Sequence, residues 1–323
     1  MSHAKVCITG GAGFIGSSLA HVLVAQGHEV VMLDNFRRPY GGNLFNLVGI
    51  QDRLTIKRGD VQTQKDLFPL LQDCTHVFHC AAQTSRADAL RHPKKDCQMN
   101  YQTTLSLLEG MRTVCPSAHM IFLSSRGVYG IPQETPTTEH TAPNPHDFYG
   151  LHKLAAEQAC RLYNRQYGLA VTIARLCNVY GPRCQVRSPH YGTINMFIRY
   201  ALEGTPMPVF GTGKQRRDYI YIDDVVAGLC AMMEPRARGE TFLLGSGTTY
   251  DIWELTLAIQ RVLLEAQATR RPMPPILSSL EFPIFQSNPH KATRLLRWEP
   301  TTDLDTGIAR TVAYYQQYLE HYQ

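Results

Sequence analysis

The stretch that most limits how this chain can fold lies near its start, Val6-Cys7-Ile8-Thr9-Gly10-Gly11-Ala12-Gly13-Phe14-Ile15-Gly16. A short apolar run ends in three glycines spaced G-x-x-G-x-x-G, and an apolar helical pattern, Ser17 to Ala25, follows. Such a turn lets the backbone approach a pyrophosphate, and the helix N-terminus adds N–H donors and a positive dipole end. Glycines also make ordinary turns, so the triplet alone decides little. Its setting decides more: a strand before, a helix after, and a second apolar run, Glu29 to Leu33, ending at Asp34. That acid stands where it would accept hydrogen bonds from an adenosine ribose. A bare carboxylate there repels a ribose phosphate, so the expected cofactor is NAD rather than NADP.

The rest of the N-terminal half alternates apolar runs with helical patterns. Strands are expected near 5–9, 29–33, 54–58, 75–80, 119–124 and 170–175, and helices over 16–26, 64–72, 99–112 and 149–167. This alternation predicts an α/β fold, a Rossmann-type doubly wound parallel sheet covered on both faces. Ligands then bind at the carboxyl ends of the strands. Asp60 and Val61 follow the third strand, and Cys80-Ala81-Ala82-Gln83-Thr84 the fourth, where small side chains let the backbone lie close to a cofactor. After about residue 176, prolines 182, 189, 206 and 208 interrupt the pattern. A helix near 193–203, a turn from Gly211 to Arg217, a return segment 219–248 with a strand at Thr241 to Leu244, and helices over 251–265 and 302–319 follow. The Pro-rich connection 272–289 reads as loop. The expected division is a dinucleotide-binding domain, 1–175 with the return segment, and a smaller interleaved substrate lobe from 176–218 and 249–323.

Composition narrows the classes. The 323 residues suffice for a large core and two lobes, and a formal net charge of +5 without a long Lys/Arg cluster does not point to nucleic acid. Thirteen histidines show no HExxH, and nine cysteines no C-x-x-C pair, so no metal site is expected. Several cysteines sit in apolar runs, as buried thiols do in a reducing compartment. No apolar run reaches the ~18 residues of a membrane span. A soluble, cytoplasmic protein is expected.

Tyr149-Gly150-Leu151-His152-Lys153 opens a helix, and its Tyr and Lys, four apart, share one face. A phenol is a poor base at neutral pH, but a nearby ammonium and a cationic nicotinamide would stabilise the phenolate. Ser124 and Ser125 end the preceding strand, where a hydroxyl can hold a substrate oxygen. Taken alone, the Tyr–Lys spacing also decorates many surface helices. His79, ending a buried strand, reads as a core histidine, and Ile308, Val312, Tyr315 and Tyr318 as a packed helix face.

With these pieces in place the chain resembles, over essentially its whole length, the extended short-chain dehydrogenase/reductase family, in its NAD-dependent sugar-nucleotide epimerase/dehydratase branch. The matching pieces are Gly10 to Gly16, Asp34-Asn35, Gly59-Asp60-Val61, His79 to Ala82, Asn100, Ser124-Ser125 with Val128-Tyr129-Gly130, Tyr149 with Lys153, Arg175 through Pro182, and Arg217 through Asp224. The resemblance implies Tyr149 as base, Lys153 on the nicotinamide ribose and lowering the Tyr149 pKa, and Ser125 on the reacting oxygen. It implies cofactor contacts from Gly10, Gly13, Phe14, Ile15, Gly16, Asp34, Asn35, Asp60, Val61, Cys80, Ala81, Ala82, Gln83 and Asn100. Asn178 and Arg217 would bind the diphosphate of a nucleoside-diphosphate sugar, and Phe210 its nucleobase. A homodimer through the helices near 99–112 and 149–167 is implied as well.

The implied activity is 4-epimerisation through a transient 4-keto sugar. Relatives that dehydrate or decarboxylate carry acids just after the Ser, where this chain has Arg126-Gly127. A decarboxylase, an atypical dehydratase and a non-catalytic NAD(H)-binding protein remain as alternatives. Arg126 either binds an acidic sugar such as a uronate, or points to solvent or pairs with a nearby acid. Where the family has a diphosphate-binding Arg, Ser278 stands, with Glu281 beyond; either Arg270 or Arg271 slides in, or Arg187 substitutes, or diphosphate binding is weaker. Phe285 is expected near the sugar's 2-substituent. Arg86 and Ala89 stand where a substrate-side hydroxyl is usual, and Arg86 otherwise faces solvent.

Overall fold

Residues 3–37, 42–187 and 192–322 are described by the structure, a computed structural model. The apolar runs form strands β1 (Lys5–Thr9), β2 (Glu29–Asp34), β3 (Thr55–Arg58), β4 (His76–His79), β5 (His119–Ser125) and β6 (Ala170–Leu176). After them come β7 (Asn178–Tyr180), β8 (Met207–Phe210), β9 (Arg216–Tyr221) and β10 (Thr241–Leu244). Seven of these make one parallel sheet in the order β3-β2-β1-β4-β5-β6-β10. Strand order reverses between β1 and β4, and the crevice beyond their carboxyl ends is where such a sheet takes its ligand.

Side chains alternate across this sheet with period two. Val6, Ile8, Ile121 and Leu123 face helix α1 (Phe14–Ala25) and the core beneath it. Cys7, Met120 and Phe122 face the opposite layer, formed by α2 (Gln64–Leu71) and later helices. Both faces are dry, which is why the inner strands are apolar without interruption. Next along the chain are the short α3 (Arg86–Arg91) and α4 (Pro93–Cys97), then α5 (Thr103–Val114) and α6 (Phe148–Tyr167). The expected helix at 99–112 is thus entered through a π-helical turn, Gln98–Gln102.

The remaining helices are α7 (Thr193–Leu202), α8 (Ile222–Ala231), α9 (Ile252–Val262), α10 (Pro275–Ser278), α11 (His290–Leu296) and α12 (Leu304–Tyr318). Among the described residues no helix is long and apolar enough to cross a membrane. Small sheets complete the chain. β9 pairs with β7, with β11 (Thr249–Tyr250) and with β13 (Ile284–Phe285); β8 pairs with β12 (Ala268–Arg271). Two expectations change here. Arg216 and Arg217 belong to strand β9 rather than to a turn, and the connection 272–289 contains α10 and β13. A two-residue strand has no periodicity to recognise; only its parallel pairing with β9 defines it.

At the amino-terminal edge of the sheet, histidines gather. His76 and His119 lie 5.8 Å apart between ring centroids. His119 Nε2 meets Thr172 Oγ1 at 2.8 Å, and His28 Nδ1 accepts from Ala4 N. Among the described residues, His119 Nδ1 and His28 Nε2 are buried with no hydrogen-bond partner. Burial first, then the His76 and Arg238 charges, pushes His119 down to about 4, and burial lowers His28 and His76 too. Above pH ~6.5 neither folded nor unfolded chain binds these protons. As pH falls from about 6.5 to about 4 the unfolded chain binds them first, so stability is lost across that window, on the order of 3 kcal/mol for His119. The thermal midpoint should fall over this range, and His119→Gln should flatten the slope; an unchanged slope would exclude His119 as a source.

Candidate active site

The glycine turn brings the β1 and β4 loops together. Gly10 has φ +68°, and a Cβ there would lie 2.7 Å from Ala81 N and Cα. A side chain at Gly16 would collide with the Gly10 carbonyl. Gly13 caps α1 without any side-chain hydrogen bond, leaving the first helical N–H groups directed at the crevice. Beside this turn opens a cavity of about 660 Å³, lined by Gly10, Gly13, Phe14, Ile15 and Gly16 at one end. A second cavity of about 280 Å³ shares Gly10, Gly13, Cys80 and Ala82 with it. Asp34, Asn35, Asp60, Val61 and Ala81 line that second cavity. Asp34 is nearly buried and takes Ala12 N at 3.0 Å and Phe36 N at 2.8 Å, so its carboxylate is held in place. A narrow backbone cradle, an uncapped helix end and a fixed acid beyond it suit an adenine dinucleotide.

Tyr149, Lys153 and Ser125 converge on the wall of the larger cavity. Asp147 caps α6 by accepting from Gly150 N at 2.8 Å, which sets the first turn carrying Tyr149 and Lys153. Burial pushes the Tyr149 phenol up to about 12; a hydrogen bond with Ser125 pulls it back, Asp96 and Asp147 raise it further, and the Arg126 charge lowers it. Lys153 is 2% exposed and donates to the Leu123 carbonyl at 2.9 Å. Burial lowers its ammonium to about 8, against the opposing charge of Asp96. The Arg126 charge also bears on the phenol, a contribution that the Tyr–Lys spacing does not reveal.

Behind these groups lies a buried pair that sequence reasoning missed. Glu157, fully buried on α6, takes Arg175 Nε at 2.9 Å and Nη2 at 2.6 Å. It also accepts from Ser124 Oγ at 2.6 Å, while Arg175 Nη1 donates to Tyr129 Oη at 2.9 Å. The bidentate bond ties α6 to β5 and β6. Glu157 lies one turn beyond Lys153 on α6; that spacing was the available signal, but its partner is 18 residues away.

At the other end of the cavity three arginines surround one ring. Arg217, Arg126 and Arg86 lie 4.1, 4.9 and 5.6 Å from the Phe282 centroid. Arg86 pairs with Asp147 at 2.5 Å, so it does not simply face solvent, and Arg217 pairs with Glu281 at 2.7 Å. Arg126 binds the Asn178 Oδ1 at 3.1 Å and lies 5.2 Å from the Phe285 ring. Among the described residues no carboxylate pairs with it. Burial, then the Arg217 and Arg86 charges, pushes its guanidinium down to about 9.

The larger cavity also takes Asn178, Phe210, Cys80, Ala82 and Arg217 in its wall. Gln83 and Asn100 line neither cavity. Their amides turn inward, Gln83 Nε2 and Asn100 Nδ2 both donating to Asp96 Oδ1, so they brace the loop from behind. The Asn178 amide is engaged as well, donating to the Asp218 carbonyl at 2.7 Å. Phe285 is fully buried and off the wall, so it does not bound the sugar space; Leu280 and Glu281 are on the wall. Of the arginines considered for Ser278's place, Arg270 donates to the Gly211 carbonyl, and none of Arg187, Arg270 and Arg271 lines the cavity. Ala89 is buried. His79 is a core residue, bonded to Thr9 and Thr104 and pushed down to about 3 by burial.

Fold and site together define a dinucleotide-dependent enzyme of the Rossmann type. The sequence pattern of the NAD dependent epimerase/dehydratase family matches residues 6–245. A UDP-glucose 4-epimerase of Mycolicibacterium smegmatis is 32% identical, covering 97% of this chain and 98% of that protein. UDP-glucuronic acid decarboxylase 1 of Xenopus tropicalis is 30% identical, covering 98% of this chain and 73% of that protein. The crystal structure of a UDP-glucuronic acid 4-epimerase from Bacillus cereus, in complex with UDP-glucuronic acid and NAD, superposes with a TM-score of 0.87 at 29% identity, covering 97% of this chain and 99% of that one. The chain belongs to the NAD dependent epimerase/dehydratase family, and its cofactor is NAD.

Removing one partner of a buried pair strands the other. Glu157→Gln should lower unfolding free energy by about 3–5 kcal/mol, read by chemical denaturation. A change within ordinary surface-mutation size would show that Arg175 finds another partner.

Proposed function

We propose that the protein is a nucleoside-diphosphate-sugar 4-epimerase that works through a transient 4-keto sugar. The observation that carries this reading is that Tyr149 and Ser125 share the cavity wall with no free acid beside them among the described residues. Glu281 is the one carboxylate lining that cavity among the described residues, and Arg217 holds it. Eliminating water from the sugar needs a further acid in reach of the leaving oxygen; Arg126 and Gly127 cannot supply it.

NAD, when bound, supplies a reversible hydride acceptor at the sugar's C4. Tyr149 Oη takes the proton of the 4-hydroxyl while Ser125 Oγ holds the same oxygen. Burial favours the neutral phenol, so ionisation depends on positive charge around it: Arg126 in this chain, and Lys153 on the same helical face. Lys153 spends one N–H on the Leu123 carbonyl and keeps others for a ribose hydroxyl. The neutral keto sugar is anchored only by its nucleotide tail and can turn over. Tyr149 then returns the proton to the oxygen, and hydride given back to the opposite face of the turned sugar would invert C4.

The sugar end favours an acidic substituent. Arg126 is half-buried, unpaired by any described carboxylate, and shares the Phe282 ring with two other guanidinium groups. An arginine so placed suits bidentate recognition of a carboxylate, as on a uronate. The decarboxylase named among the relatives shares that class of sugar, so release of carbon dioxide is the outcome that would favour the second reading.

Incubation with UDP-glucose, UDP-galactose and their uronic acids, followed by NMR, should show the C4 epimer without net NAD turnover. A different sugar change, or loss of carbon dioxide, would remove the assignment. Tyr149→Phe should cut turnover by at least about 100-fold and leave NAD bound; an undiminished rate would dismiss Tyr149 as base. Arg126→Met should lower kcat/KM for the uronic acids by about 10- to 100-fold more than for the hexoses, which lose only the help that Arg126 gives the phenolate. Equal losses on both would remove Arg126 from carboxylate recognition.

A further inference from the structure

Ala12, in the middle of the glycine turn, has only a methyl side chain, yet both its backbone polar groups are held. Ala12 N donates to Asp34 Oδ2 at 3.0 Å. The Ala12 carbonyl accepts twice, from Asn43 N at 3.0 Å and from Asn46 Nδ2 at 2.9 Å. Asn46 stands on the short 3₁₀ turn Leu44–Leu47 and is 1% exposed. Its carbonyl meets His21 Nε2 on α1 at 2.9 Å, and its Oδ1 accepts from Tyr322 Oη at 2.5 Å across 276 residues. Tyr322, equally buried, belongs to a second 3₁₀ turn, Leu319–Tyr322, which follows α12. Since Tyr322 donates to Asn46, it accepts from Tyr314 Oη at 2.5 Å. The neighbouring His321 ring stacks on Phe45 at 3.7 Å between centroids, and the His321 carbonyl accepts from Asn43 Nδ2 at 2.9 Å.

We propose that Asn46 and Tyr322 are positioning residues for the cofactor: the turn Leu319–Tyr322 holds the glycine turn in its NAD-accepting shape through Asn46. Glycines give the cradle the bare backbone that a pyrophosphate needs, and they give it freedom as well. Freedom lost on binding weakens binding, and a turn held beforehand loses less. The bonds on Ala12 supply that restraint from outside the turn. Asp34, which lines the smaller cavity, is tied to the same residue. α12 also reaches the larger cavity, since Tyr315 Oη donates to the carbonyl of Cys184 on its wall. The Tyr315 and Tyr322 rings meet edge to face at 5.5 Å, so one aromatic cluster touches both the cradle and that wall. The role concerns NAD alone and is independent of the sugar chemistry proposed above.

The test is exchange of bound NAD against excess labelled NAD in the holoprotein. Asn46→Leu removes both side-chain bonds at similar volume and should speed NAD release about 3- to 10-fold. Tyr322→Phe removes only the hydroxyl and should speed it about 2- to 5-fold. Both act through one contact, so the double variant should release NAD no more than about 2-fold faster than Asn46→Leu alone. Thr172→Val is the control for general loosening. It removes a buried hydroxyl that donates to the Ala237 carbonyl at 2.5 Å, at the amino-terminal edge of the sheet, away from the turn. It should lower the thermal midpoint and leave NAD release unchanged. Release that stays at the wild-type rate in Asn46→Leu and Tyr322→Phe, that multiplies in the double variant, or that rises as much in Thr172→Val overturns the proposal and leaves a merely structural tie. Should Asn46→Leu not fold, Tyr322→Phe against Thr172→Val decides the matter. The expected pattern in a protein without 4-epimerase activity would fail the functional reading and leave the positioning role standing.

Discussion

No side chain fits between Gly10 and Ala81, and the molecule is arranged around that contact. Gly10 N donates to the Leu33 carbonyl at 2.8 Å, and Cys80 N to the Thr9 carbonyl at 3.0 Å. These two bonds hold the β1, β2 and β4 ends in one plane at the point where strand order reverses. The bare backbone there lets a dinucleotide lie across the sheet edge, with α1 offering its uncapped N–H groups. Both cavities border on this turn.

The second constraint is electrostatic. Lys153, Arg175 and Arg217 are withdrawn from water and Arg126 is half-buried, and each would be costly alone. The protein divides them by partner. Arg175 is satisfied by Glu157, and Arg217 by Glu281, so these serve architecture or wait on a ligand strong enough to compete. Lys153 rests on a carbonyl and on the field of Asp96. Among the described residues Arg126 has an amide oxygen and two ring faces as its partners. Unequal satisfaction of like charges leaves positive charge concentrated at the arginine end of the cavity, while burial holds the phenol of Tyr149 above its ordinary range.

Legibility varied with the range of the interaction. Strands β1 to β6 and helix α6 were visible because two-residue and 3.6-residue periods are local. Gly10 to Gly16, Tyr149, Lys153 and Ser125 were visible because their chemistry depends on spacing within one turn or at one strand end. The inward turn of Gln83 and Asn100 was not, since Asp96 accepts both amides and lies apart from the strand-end motif. Nor was β13, whose two residues exist as a strand only by pairing with β9.

The sequence by itself therefore determined the doubly wound sheet, the glycine cradle, the acid at Asp34 and the Tyr–Lys face, because each is written in neighbouring residues. Tertiary structure alone decided which charges are paired: Arg175 with Glu157, Arg86 with Asp147, His152 with Asp96, and Arg126 with no acid among the described residues. Charge pairing across 18 to 61 residues depends on how helices seat against the sheet, and burial, which gives those pairs their strength, belongs to no single segment.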